Sequence, residues 1–205
     1  MKWQQRASQH VYKLPPTKLY PALDNKLLIV LRGWGGPDAA QGVIDEITQY
    51  LSATQADLDL TTPFTFIEGV SQVANRLRIS ALLANDRLCK FENKEFYSAG
   101  FEILMIYQSK NELAWLSFGN FSIQLDYVDP ITSQNLNLKD SSLVFASHDA
   151  IESRHVLHNY LLGIDRQPQV QVGSVLQQFV NRVLVKSNYS FGRTQWTLEI
   201  TQLEK

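Results

Sequence analysis

The apolar run Leu28–Ile29–Val30–Leu31 ends in Arg32 and then breaks into Gly33–Trp34–Gly35–Gly36–Pro37, and no other stretch constrains the fold as much. From Lys26 to Leu31 the run is too short for a helix and reads as a buried strand. Three glycines within four residues then admit backbone angles that a side chain would forbid. Pro37 suits a first helical turn, and Val43, Ile44, Ile47, Tyr50 and Leu51 follow at helical spacing. A strand, a glycine turn and a helix N-terminus in succession are the parts of a site.

The 205 residues fit one domain, expected to span 1–205, with enough chain to bury a substantial core. Nineteen basic against twenty acidic residues leave a net charge of −1, which argues against a general electrostatic grip on nucleic acid or on an anionic membrane. A single cysteine, Cys89, excludes an internal disulfide framework. Met1 to Leu14 has no apolar core resembling a signal peptide, and no apolar run approaches the ~20 residues of a membrane helix. The expectation is a cytoplasmic protein with no nucleic acid and no membrane as partner.

Met1 to Tyr20 reads as an edge strand and a loop, with turns at Pro15–Pro16 and near Pro21. Helical spacing predicts helices around 37–52 and 64–83, near 150–162 with a stop at Gly163, and over 172–185. Between them lie short candidate strands at Leu88–Phe91 and Glu95–Tyr97, then Phe101 to Tyr107, Leu113 to Phe118, and the alternating Phe121, Ile123 and Leu125. Leu143–Ser147 and Thr194–Thr201 complete the set. Consecutive strands without intervening helices imply antiparallel hairpins and disfavour a doubly wound nucleotide fold. His155 and His158 lie three apart, but without a third convincing ligand they read as helix residues and not as a zinc site.

A strand ending in Asp-Gly-x-Gly-Gly and running into a helix is the central motif of the metal-dependent (type 2C) serine/threonine protein phosphatases, and this chain resembles that family with one decisive change. Arg32 stands where the family has a metal-bridging aspartate, followed by the matching Gly33, Gly35 and Gly36. Ala84–Asn85 matches a pair that closes the family's second helix. Arg6 stands where the family's first strand carries a phosphate-binding arginine, although a solvated terminal arginine explains it as well. Gln9, His10 and Val11 replace the family's Asn-Glu-Asp. Asn120 replaces the aspartate of a Gly-Asp-Ser turn, and an asparagine has no charge with which to hold a divalent cation. In Ala146–Ser147–His148–Asp149 either His148 or, with one insertion, Asp149 takes the position of another metal-binding aspartate. Asp149 reads equally as the N-cap of the helix after it. Phe191–Gly192 occupies the place of the last acidic pair.

The resemblance implies an α+β fold, a four-layer α/β/β/α sandwich of two antiparallel sheets flanked by helices. It also implies that the family's chemistry is missing. Two divalent cations held by carboxylates generate the nucleophile and neutralise the phosphate's charge. Val11, Arg32, Asn120 and Gly192 cannot supply those carboxylates, and a guanidinium repels cations. The expected function is a non-catalytic, phosphatase-like binding or regulatory module without a metal cofactor, its partner a protein, phosphorylated if Arg6 and Arg32 still bind phosphate. The alternative is a divergent phosphatase hydrolysing phosphomonoesters with manganese or magnesium, for which Asp149 is the one surviving candidate ligand. Arg32 is expected to line a cationic pocket and, where buried, to draw an acidic or carbonyl partner, with Asp149 and the acids of the first helix as the candidates.

Overall fold

The computed structural model describes residues 1–7, 17–57, 61–119, 121–127, 170–188 and 195–202. Among these residues, nine strands and two α-helices follow one another as β1 (Lys2–Ala7), β2 (Lys18–Ala22), β3 (Leu27–Trp34), α1 (Pro37–Ala56), α2 (Gln72–Lys90), β4 (Gly100–Gln108), β5 (Glu112–Phe118), β6 (Ser122–Tyr127), β7 (Gln171–Leu176), β8 (Val180–Asn188) and β9 (Gln195–Gln202). They make two antiparallel sheets, one ordered β2-β3-β4-β5-β7 and the other β1-β9-β8-β6.

Side-chain alternation along β3 explains the layering. Leu27, Ile29 and Leu31 point to one face, where they join Val43, Ile47 and Leu77 of the helices. Leu28 and Val30 point to the other, where they join Leu104, Ile106, Val185, Leu198 and Ile200 between the sheets. The five-stranded sheet is thus covered on both faces, which is why Leu27 to Leu31 read as an unbroken apolar run. The expected face-to-face antiparallel sheets are present, with α1 and α2 together outside the five-stranded sheet.

Pro37 opens α1 behind Gly36, and the predicted stripe Val43, Ile44, Ile47, Tyr50 and Leu51 is buried. Ser71 caps α2 by accepting a hydrogen bond from the Ala74 N–H at 3.1 Å. The helix therefore begins at Gln72, leaving Phe66 and Val70 in the approach to it.

Several expectations are corrected. The span 172–185 is not a helix but β7, one turn of 3-10 helix at Gln177–Phe179, and β8. Its helical spacing arises because the turn and an irregularity opposite Asp126/Tyr127 break the two-residue alternation, while its valines favour a pleated sheet. Leu88 belongs to α2, whose buried positions Ala81, Ala84, Asn85 and Leu88 continue at helical spacing, and no strand forms at Glu95–Tyr97. Asn93 instead ties that turn down, donating to the Ala99 carbonyl at 2.7 Å and accepting from its N–H at 2.9 Å. Pro21 lies inside β2, an edge strand among the described residues, where proline is tolerated. The turn comes next, with Leu23, Asp24 and Asn25 at positive φ. The expected strand at 143–147 and helix near 150–162, with His155 and His158, lie outside the described residues.

Candidate functional site

Arg32 is the sixth residue of β3 and still part of the sheet, directly opposite Glu102 of β4. Even-numbered side chains on these two strands face the gap between the sheets, so both ionic groups enter a mainly apolar layer. They meet there: Arg32 donates from Nε to Glu102 Oε2 at 2.6 Å, and Nη2 lies 2.5 Å from the same oxygen. Each residue is only 5% exposed. The Phe121 ring lies 4.8 Å from the guanidinium carbon, and Phe121 in turn meets Trp196 edge-on at 5.9 Å and 71°. The cation is thus balanced by a carboxylate and covered by an aromatic face.

Two glycines let this arrangement close. A Cβ on Gly33 would sit 1.9 Å from the Gly100 carbonyl oxygen, so β3 and β4 approach there as only glycine allows. Gly119 has φ +103°, and a Cβ on it would fall 2.6 Å from Glu102 Cγ. Gly119 therefore supplies the space into which the Glu102 side chain folds.

The acidic partner differs from the expected ones. Asp38, Asp45 and Glu46 belong to α1, which packs on the opposite face of the five-stranded sheet, so the first helix cannot reach Arg32. Asp149 lies outside the described residues, as do Val11, Asn120, His148, Phe191 and Gly192. Glu102 carried a legible signal that sequence reasoning passed over. It is the one charge in the run Phe101 to Tyr107, as Arg32 is the one charge in Leu28–Arg32. Lone opposite charges in two buried strands need one another.

Arg6 is exposed on β1 and pairs with Thr197, whose neighbours Trp196 and Leu198 point inward. Arg6 accordingly lies on the outer face of the four-stranded sheet, and the two arginines expected to share a phosphate are not brought together. The glycine turn does open a cavity of about 210 Å³, lined by Gly33, Gly35, Gly36 and Pro37 with Tyr20. It lies on the helical side, next to Leu31 and Ala40, and the cation lining it is Lys18, not Arg32.

The described donors alone do not make a site for a pair of divalent cations. The described surroundings of Arg32 offer one carboxylate already engaged by a guanidinium, and no group of three His, Cys, Asp or Glu that could hold a metal occurs among the described residues. No helix among them is long and apolar enough to cross a membrane.

No protein-family model and no curated protein matches the sequence. Solved structures do match in shape. A bacterial serine phosphatase superposes with a TM-score of 0.56 at 15% identity, covering 100% of this chain and 99% of the other. The serine/threonine phosphatase Stp1 from Staphylococcus aureus gives 0.54 at 14% identity, covering 100% and 94%. The serine/threonine phosphatase PstP/Ppp of Mycobacterium tuberculosis gives 0.52 at 13% identity, covering 100% and 99%. With its paired antiparallel sheets, its outer helix pair and its strand-glycine-helix junction, the chain has the fold of the bacterial type 2C serine/threonine phosphatases.

Proposed function

We propose that residues 1–205 form one non-catalytic domain of phosphatase fold, a pseudophosphatase that works by binding a protein partner in the cytoplasm. The observation that carries this reading is the buried Arg32–Glu102 ion pair, with Arg32 at the position where the resembled motif has its metal-bridging aspartate. Two-metal hydrolysis needs open coordination sites and several carboxylates, whereas a guanidinium–carboxylate pair fills the space and neutralises itself. Arg32 then acts as a structural substitute for the metal's charge.

A protein partner is supported by the loop after α2. Phe91, Phe96 and Tyr97 are 72%, 79% and 70% exposed, and the loop ends at Ala99, against Gly35 of the glycine turn. Solvent-facing aromatic side chains on one loop are the residue types that anchor protein interfaces. Exposed Arg6 lies away from that loop, on the outer face of the four-stranded sheet, where its bidentate fork suits a phosphorylated group. The single cysteine, Cys89, is in keeping with a reducing compartment.

The test is turnover of a generic phosphomonoester by the full chain with manganese, beside Asp149→Ala as control. The reading expects both to match the uncatalysed rate. Manganese-dependent turnover that Asp149→Ala abolishes would overturn it in favour of a divergent phosphatase.

A further inference from the structure

We propose that Arg87 is the positioning residue of the aromatic loop after α2, which rests on the reading of that loop as the anchor for a protein partner. Seated in a notch at Gly42 of α1, its guanidinium holds Phe91, and with it the loop, in the form that the partner meets. Gly42 is a buried glycine in the interior of a 20-residue helix, where alanine is the better helix former. The space it leaves is occupied. A Cβ at 42 would fall 1.9 Å from Arg87 Nη1 and 2.4 Å from Cζ, so the guanidinium lies against α1 where only glycine leaves room.

The same side chain reaches the loop. Arg87 lies in the last turn of α2, and Phe91, the C-cap, donates its N–H to the Arg87 carbonyl at 3.0 Å. The guanidinium carbon lies 5.8 Å from the centroid of the Phe91 ring, and Nη1 lies 3.6 Å from Glu92 Oε1. That ion pair is too long for a hydrogen bond, and Nη1 is buried with no hydrogen-bond partner among the described residues. The guanidinium is therefore fixed chiefly by contact, with the Gly42 notch and with the Phe91 ring. Hydrogen bonds close the remainder of the loop: the Asn93 N–H donates to the Leu88 carbonyl at 2.9 Å, the Ser98 hydroxyl donates to the Glu92 carbonyl, and the Asn93 side chain holds Ala99. An aromatic anchor kept in one form before binding loses less conformational freedom when a partner docks.

The experiment is chymotrypsin cleavage of the full chain under native conditions, with cut sites read by mass spectrometry and a urea midpoint taken for each variant. Gly42→Ala fills the notch with a methyl group, and the guanidinium, the end of a flexible side chain, moves out without unpacking the helices. Cleavage after Phe91, Phe96 or Tyr97 should then rise about fivefold, and by the same factor in Arg87→Ala, because cleavage follows the population of the opened loop. Cleavage after Phe66, in the connection before α2, should stay as in the natural chain, and the urea midpoint of Gly42→Ala should not fall. Adding Gly42→Ala to Arg87→Ala should raise loop cleavage no further. Unchanged loop cleavage in either single variant, an additive rise in the double variant, or an equal rise after Phe66 would each overturn the proposal, as would a lower urea midpoint in Gly42→Ala. No partner and no turnover enters the measurement, so failure here is distinct from failure of the non-catalytic reading.

Discussion

Arg32 and Glu102 stand directly opposite one another on β3 and β4 and close an ion pair in the apolar layer between the two sheets. Removing one member of such a pair strands the other charge out of water, whereas removing both restores an apolar layer. Glu102→Ala and Arg32→Met should each cost about 3–5 kcal/mol of stability in urea titrations. The double variant Arg32→Met/Glu102→Leu should regain most of that loss. Additive costs in the double variant would mean that the two residues do not act as a pair.

The glycines of the turn are not equivalent. Gly33 faces backbone, with the Gly100 carbonyl oxygen 1.9 Å from where a Cβ would be, so Gly33→Ala must push β3 and β4 apart at a cost of about 3 kcal/mol. Gly36 has nothing within 4 Å of an added Cβ and caps α1 at φ −64°. Gly36→Ser should therefore change stability by no more than about 0.5 kcal/mol, in the favourable direction, by supplying a capping hydroxyl. Thermal unfolding of the two single variants checks the contrast.

Much of this was legible in the sequence where local pattern and tertiary environment agree. The apolar run at Leu28–Leu31, the glycines and the α1 stripe all announced the junction that the structure contains. The pattern misled where tertiary pairing overrode it: Val172 to Leu184 keeps helical spacing only because a turn and a register irregularity interrupt two strands. The pairing of Glu102 with Arg32 was hidden for a different reason. Its meaning depends on β4 lying beside β3, a pairing between residues seventy positions apart that no local window reports.

Burial of Tyr50 in α1 raises its phenol above the ordinary value, and the charge of Arg76 draws it back only in part. The folded chain thus holds this proton more tightly than the unfolded chain does. The stability involved is fully present below the unfolded phenol value of about 10 and is lost as pH rises from there to the raised folded value. Urea midpoints measured across this alkaline range should fall more steeply for the natural chain than for Tyr50→Phe. Parallel curves would remove Tyr50 from the pH response.

Calorimetric titration of the full chain with manganese decides whether the Arg32–Glu102 ion pair stands in place of a binuclear metal centre. No stoichiometric uptake of two ions is expected, and none in Arg32→Asp, because one restored carboxylate cannot build a site that needs several. Binding of two manganese ions by the natural chain, reduced in Asp149→Ala, would contradict the account and return the protein to the metal-dependent phosphatases.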